Sequence, residues 1–208
     1  MFALKQEPEA ADFWGWFEDN EALLAEMAVK LDELTMDEIE PVLDELAQEL
    51  NYVDERLFAE LDVDGDGSPV LLITADGDRE ALLVARELVA GAPELKDWVF
   101  TALRNREPLT DRLVLPGGGE IDIREAVFVL EVHEGKAEIA IGLDDWDDER
   151  AEDYNLAAEN LVEMVLGEAD YSAGVSGVMA LPVGDLAEET DPWPLRALAG
   201  EFDKQLGE

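Results

Sequence analysis

The spacing of apolar residues changes along this chain, and that change limits the folds open to it. The stretch "DFWGWFEDNEALLAEMAVKL" puts Phe13, Phe17, Leu24, Met27 and Leu31 at helical spacing, with Trp16 and Leu23 beside them, and predicts an amphipathic helix. A second helix is predicted over "TMDEIEPVLDELAQEL". There Thr35 and Glu38 stand in a capping-box arrangement, Met36, Ile39, Leu43, Leu46 and Leu50 share a face, and Pro41 implies a kink or a late start. Short apolar runs separated by turn residues then take over. "RLFAELDV" and "PVLLITA" read as strands flanking "DGDGS", "DREALLVARELVAG" as a helix closed by Gly91 and Pro93, and "WVFTALRN" as a strand. Beyond the irregular "LVLPGGGEIDI" the order returns: "AVFVLEV" and "KAEIAIGL" flank the turn "HEG", a helix runs through "ERAEDYNLAAENLVEMVLG", and "GVSGVMALPV" is a strand. "PWPLRALAGEFDKQL" closes the chain as an amphipathic helix.

These elements predict an α+β fold: two N-terminal helices, two β-β-α-β halves forming mainly antiparallel sheet covered by helices, and a C-terminal helix. Residues 1–208 are read as a single domain, with a helical segment at 8–53 and halves at 54–105 and 124–183. The halves repeat an order of elements, not residue identities.

Of the 208 residues 48% are hydrophobic, enough apolar surface to offset the entropy of ordering the chain, so disorder is excluded despite a net charge of −39 and a pI near 4.1. Area scaling predicts a folded surface on the order of 9,600 Å², or about 250 Å² per net charge and a spacing of roughly 16 Å. That spacing exceeds the Debye length of about 8 Å at physiological salt and lies inside the ~30 Å at about 10 mM. Nucleic acid and anionic membranes are therefore poor partners, because binding them relies on Lys and Arg, and a basic protein is the natural complement. Adaptation to a salty cytoplasm would give the same charge with no partner attached. The N-terminus lacks the basic start and apolar stretch of a signal peptide, and no apolar run approaches the roughly 20 residues that span a bilayer, so a cytoplasmic location is expected. The absence of cysteine removes disulfides, thiol catalysis and thiolate metal sites.

"LDVDGDG", residues 61–67, resembles the front of a calcium loop, with Asp62, Asp64, Asp66 and Gly67 in place. Position twelve of such a loop falls on Ile73, where a bidentate carboxylate is needed, so a hairpin turn is the better reading. "LDDWDDERAED" gathers Asp144, Asp145, Asp147 and Asp148 with further carboxylates. The cluster is either a Mg²⁺ or Ca²⁺ site or an acidic helix start favoured by exposed N–H groups. His133 has no nearby serine elbow, and "PGGGE" lacks the Lys-Ser/Thr of a phosphate cradle. Trp14 lies off the centre of its helix face, so it either packs at the core edge or stacks on a partner. Arg106, in "RNREP", either anchors an anion or neutralises neighbouring carboxylates.

Three stretches, "FWGWFEDNE", "ITADGDREA" followed by "APELKDWVFTALRNR", and "LGEADYSAGVSGVMALP", resemble a family of uncharacterised bacterial proteins of unknown function. The resemblance implies a shared fold, carries no assigned activity, and points to Glu168 and Asp170 with Arg106 as the place for a polar site. No cofactor is expected. The leading functional reading is a non-enzymatic cytoplasmic interaction or regulatory protein that binds a basic partner. The alternative is a metal-dependent hydrolase or phosphotransferase using Asp144 to Asp153 or Asp62 to Asp66.

Overall fold

A computed structural model describes residues 7–31, 33–189 and 191–207. The chain divides into two compact units, Met1–Arg104 and Asn105–Glu208. It is α+β, with N-terminal helices, mixed and mainly antiparallel sheets, and a C-terminal helix.

In the first unit, helices α1 (Glu7–Lys30) and α2 (Met36–Val53) precede strands β1 (Phe58–Val63) and β2 (Pro69–Thr74), helix α3 (Ala81–Ala90) and strand β3 (Val99–Ala102). Helix α2 starts where the capping pair places it. The Glu38 carboxylate accepts hydrogen bonds from the Thr35 N–H (3.0 Å) and hydroxyl (2.7 Å), and Pro41 is accommodated as the sixth helical residue without delaying the start. Its buried stripe is Ile39, Leu46, Leu50 and Val53. Met36, the first helical residue, is exposed. Strands β1 and β2 form an antiparallel hairpin, and β3 joins β2 in parallel after the α3 crossover. The "DGDGS" stretch is the hairpin turn: Asp64 Oδ1 accepts the Asp66 N–H (3.0 Å) and Ser68 N–H (2.8 Å), and Gly67 takes φ +84°. Trp14 and Phe17 of α1 pack edge-on against Phe100 of β3, and Phe17 also against Trp98 just before that strand, joining the helix to the sheet, with Phe13 packed on both helix rings.

The second unit opens with a two-stranded ribbon, β4 (Arg112–Val114) and β5 (Glu120–Asp122), turned at the three positive-φ glycines Gly117, Gly118 and Gly119. Strands β6 (Val127–His133) and β7 (Lys136–Leu143) form a hairpin. Helices α4 (Ala151–Leu166) and α5 (Glu168–Gly174) follow, then β8 (Val175–Pro182), α6 (Val183–Glu189), β9 (Trp193–Pro194) and α7 (Leu198–Leu206). The sheet order is β8-β7-β6-β9, with β8 parallel to β7 and the other pairs antiparallel. Both units thus contain the predicted order of hairpin, helix and third strand, and in each the third strand runs parallel to its neighbour. Helix α5 arises because Gly167, at φ +74°, ends α4 and lets the chain start a new helix in another direction.

In this unit's core, Phe128, Ile139 and Ile141 from the sheet share a cluster with Ala157, Ala158, Leu161 and Val162 of α4. Gly174 closes the unit against α7, since a Cβ added there would stand 2.5 Å from Phe202 Cζ. Gly174→Ala is expected to lose about 1–3 kcal/mol of unfolding free energy by overpacking, read by urea denaturation. An unchanged midpoint would mean that the Phe202 ring yields freely.

Candidate functional site

The positions flagged by resemblance are partly brought together. Arg106 lies on the segment leading into the second unit, held by a Glu107 N–H to Met164 carbonyl bond (2.8 Å). Its Nε donates to the Leu166 carbonyl at the end of α4 (3.0 Å), where a cation is favoured by the helix dipole. The guanidinium also pairs with Asp170 (2.6 Å) and, through two nitrogens, with Asp203 (2.7 and 2.9 Å). The Arg106 hydrogen bond lowers the Asp203 pKa, and the two carboxylates raise that of Arg106. A cavity of about 430 Å³ opens beside this group, lined also by Gly135, Gly174 and Phe202. All three charged side chains are partly solvated, so each pair is worth only about 0.2–1 kcal/mol, and Arg106 here is a tie between α5 and α7. Glu168, the third residue of the expected polar site, is fully buried and does not line the cavity. Asp203 escaped sequence reading because it sits on the polar side of the C-terminal helix with no motif around it.

Other arginines act likewise. Arg56 bonds Asp54 (2.8 Å), Asp78 (3.4 Å) and Glu80 (3.3 Å), and Arg104 bonds Glu60 (2.5 Å) and Asp76 (3.3 Å). Arg150 pairs with Asp153 (2.8 Å) and donates to the Pro116 and Gly118 carbonyls, pinning the glycine turn. "PGGGE" is therefore a braced hairpin turn.

Parts of the acidic run are taken up in local hydrogen bonds. Asp147 Oδ1 caps the short 3-10 turn Asp148–Arg150 by accepting the Glu149 N–H (3.0 Å), Asp148 accepts the Trp146 indole N–H (2.7 Å), and the Asp145 carbonyl accepts the Tyr154 hydroxyl (2.6 Å). Among the described residues no three His, Asp or Glu side chains come together as metal donors, at this run or at Asp62 to Asp66.

Trp14 is also placed differently from a stacking residue. It is 6% exposed, and its indole N–H donates to the Leu88 carbonyl (3.0 Å), so its ring and its polar handle are both engaged in the core.

The sequence reading passed over one face of the second unit's sheet. Strand alternation turns Phe128, Leu130, Ile139 and Ile141 into the core and leaves Val129, Glu131, Glu138 and Ala140 on the other side. Register aligns Val129, Ala140 and Met179 in one row and Glu131, Glu138 and Gly177 in the next. Helix α6 covers one end, where Leu186 lies 3.2 Å from the position a Gly142 Cβ would take. The rest is a groove of about 320 Å³ that also includes Leu181. His133 Nε2 stands 3.3 Å from Glu131 Oε2 at its rim.

Among the described residues no helix is long and apolar enough to cross a membrane. No protein-family model matches the chain, and no curated protein matches it significantly.

Proposed function

We propose that this is a non-enzymatic interaction or regulatory protein of the cytoplasm whose acidic surface holds a basic protein partner. The observation that carries this reading is the imbalance of 53 acidic against 14 basic residues, together with where the arginines go. Arg56, Arg104 and Arg106 are each bonded to two or three carboxylates of their own unit, tying the fold locally instead of presenting cations outward. A field of one sign steers an oppositely charged protein and repels nucleic acid and anionic lipid.

Affinity capture of the tagged protein from its own organism's lysate tests this. At about 0.15 M salt a stoichiometric basic protein is expected, released at about 1 M where the Debye length falls to ~3 Å. Recovery of no partner at the lower salt, or of one retained at the higher, would overturn an electrostatic role.

A further inference from the structure

We propose that the open sheet face of the second unit is the docking site of that partner, and that it takes an extended segment carrying a Lys or Arg two residues from an apolar side chain. This rests on the acidic-surface reading above and narrows it to a place and a chemistry.

Two adjacent rows of the face define the occupant. In one, Glu131 stands directly across from Glu138, like charges that oppose each other in a sheet, with His133, 3.3 Å from Glu131, and Lys136 forming the row beyond them. The third position of that row is Gly177, where an added Cβ would meet nothing within 4 Å, so space is open beside the two carboxylates. A bound ammonium or guanidinium there relieves the repulsion and gains charge-assisted hydrogen bonds. In the next row Val129, Ala140 and Met179 make an apolar floor, with Met179 50% exposed and its flexible thioether able to adapt to a ligand. Same-face rows are two residues apart along a strand, about 7 Å, and an extended peptide lying along the strands presents its own residues i and i+2 at that interval. A cation at i over Glu131 and Glu138 therefore sets an apolar side chain at i+2 over Val129, Ala140 and Met179. A second copy of the chain is a poor occupant, because each copy carries a net charge of −39.

The test uses the full chain and a synthetic peptide of Lys-Ser-Leu-Ser repeats, with a Lys-Ser-Ser-Ser peptide as comparison, titrated at about 0.1 M salt while the methionine methyl resonances are followed. The first peptide is expected to shift the Met179 methyl and to bind more tightly than the second. Glu131→Gln with Glu138→Gln is expected to weaken it about tenfold, while Glu152→Gln with Glu159→Gln, an equal charge change at exposed positions of α4, alters it less than about twofold. Equal weakening by both pairs, equal affinity for both peptides, or an unmoved Met179 methyl would overturn the docking site and leave the acidic-surface reading standing. Failure of both peptides to bind even at about 10 mM salt, where the field reaches ~30 Å, would overturn that reading as well.

Discussion

Phe17→Ala is expected to lower the unfolding free energy by about 3–5 kcal/mol, the range for truncating a fully buried aromatic side chain. Phe17 is completely enclosed, and its ring centroid lies 4.8 Å from that of Trp98, 5.4 Å from Phe100, 5.7 Å from Trp14 and 6.4 Å from Phe13. Three of these contacts are edge-to-face, an arrangement that adds about 0.5–1.5 kcal/mol each beyond the area buried. Removing the ring takes away the shared partner of Trp98 and Phe100 and leaves a cavity that stiff neighbouring rings cannot close. Leu23→Ala on the exposed side of the same helix should stay within about 0.5 kcal/mol. Urea denaturation followed by tryptophan fluorescence reads both variants. A loss below about 1 kcal/mol for Phe17→Ala would mean that the ring cluster does not hold α1 to the sheet.

The second large effect is of salt. The folded chain exposes 12380 Å², which allots each of the 39 net charges about 320 Å², a spacing of roughly 18 Å. Repulsion at that distance is strong at about 10 mM salt and screened at physiological ionic strength, so Tm should climb as KCl rises from about 10 mM to about 1 M. For a chain of this length each kcal/mol of repulsion removed raises Tm by about 2–4 °C. A flat series would mean that local pairing leaves little net repulsion.

Acid gives the same balance a second reading. The hydrogen bonds of Arg56 and Arg106 hold Asp54 and Asp203 below their ordinary values, and Arg124 brings Asp122 down to about 2. A carboxyl whose folded pKa is depressed contributes stability above its unfolded value and loses it as pH falls through the folded one, for Asp122 between about 3.8 and about 2. Overall repulsion moves the other way, easing as the chain is neutralised toward its pI near 4.1. At low salt, Tm should therefore pass through a maximum on the mildly acid side of neutrality and drop below about pH 3.8 as the paired carboxylates protonate. Added salt should flatten the rise and leave the acid drop. A low-salt Tm that does not rise between pH 7 and about pH 5 would show that the net charge costs the fold little, since the paired carboxylates do not titrate in that range.

What could be read without coordinates was set by local physics. The shift from helical to alternating periodicity, the Thr35–Glu38 pair and the Asp-Gly turn at 64–68 depend on neighbours within a few positions, so the order of the main elements and the α+β class were legible, whereas the short β4–β5 ribbon, α5, α6 and β9 were not. The lack of an Asp or Glu at position 73 likewise separated a hairpin turn from a calcium loop. Helical spacing showed that α1 has an apolar face, but not how far that face extends. Only the packing of α3 beside it brought the Leu88 carbonyl to the Trp14 indole and made that residue core.

The polar group at Arg106 was half legible. Arg106 and Asp170 stood in recognisable stretches, whereas Asp203 reaches them from a helix 97 residues on. Alternation in β6 and β7 separated Val129, Glu131, Glu138 and Ala140 from the core residues, yet which face α4 would cover, and that Glu131 would meet Glu138, depended on the crossover and the register. Sequence determined what most of the longer segments are, because periodicity and turn chemistry act between near neighbours. Tertiary structure alone decided which faces are covered and which distant charges meet, because both follow from how the elements pack.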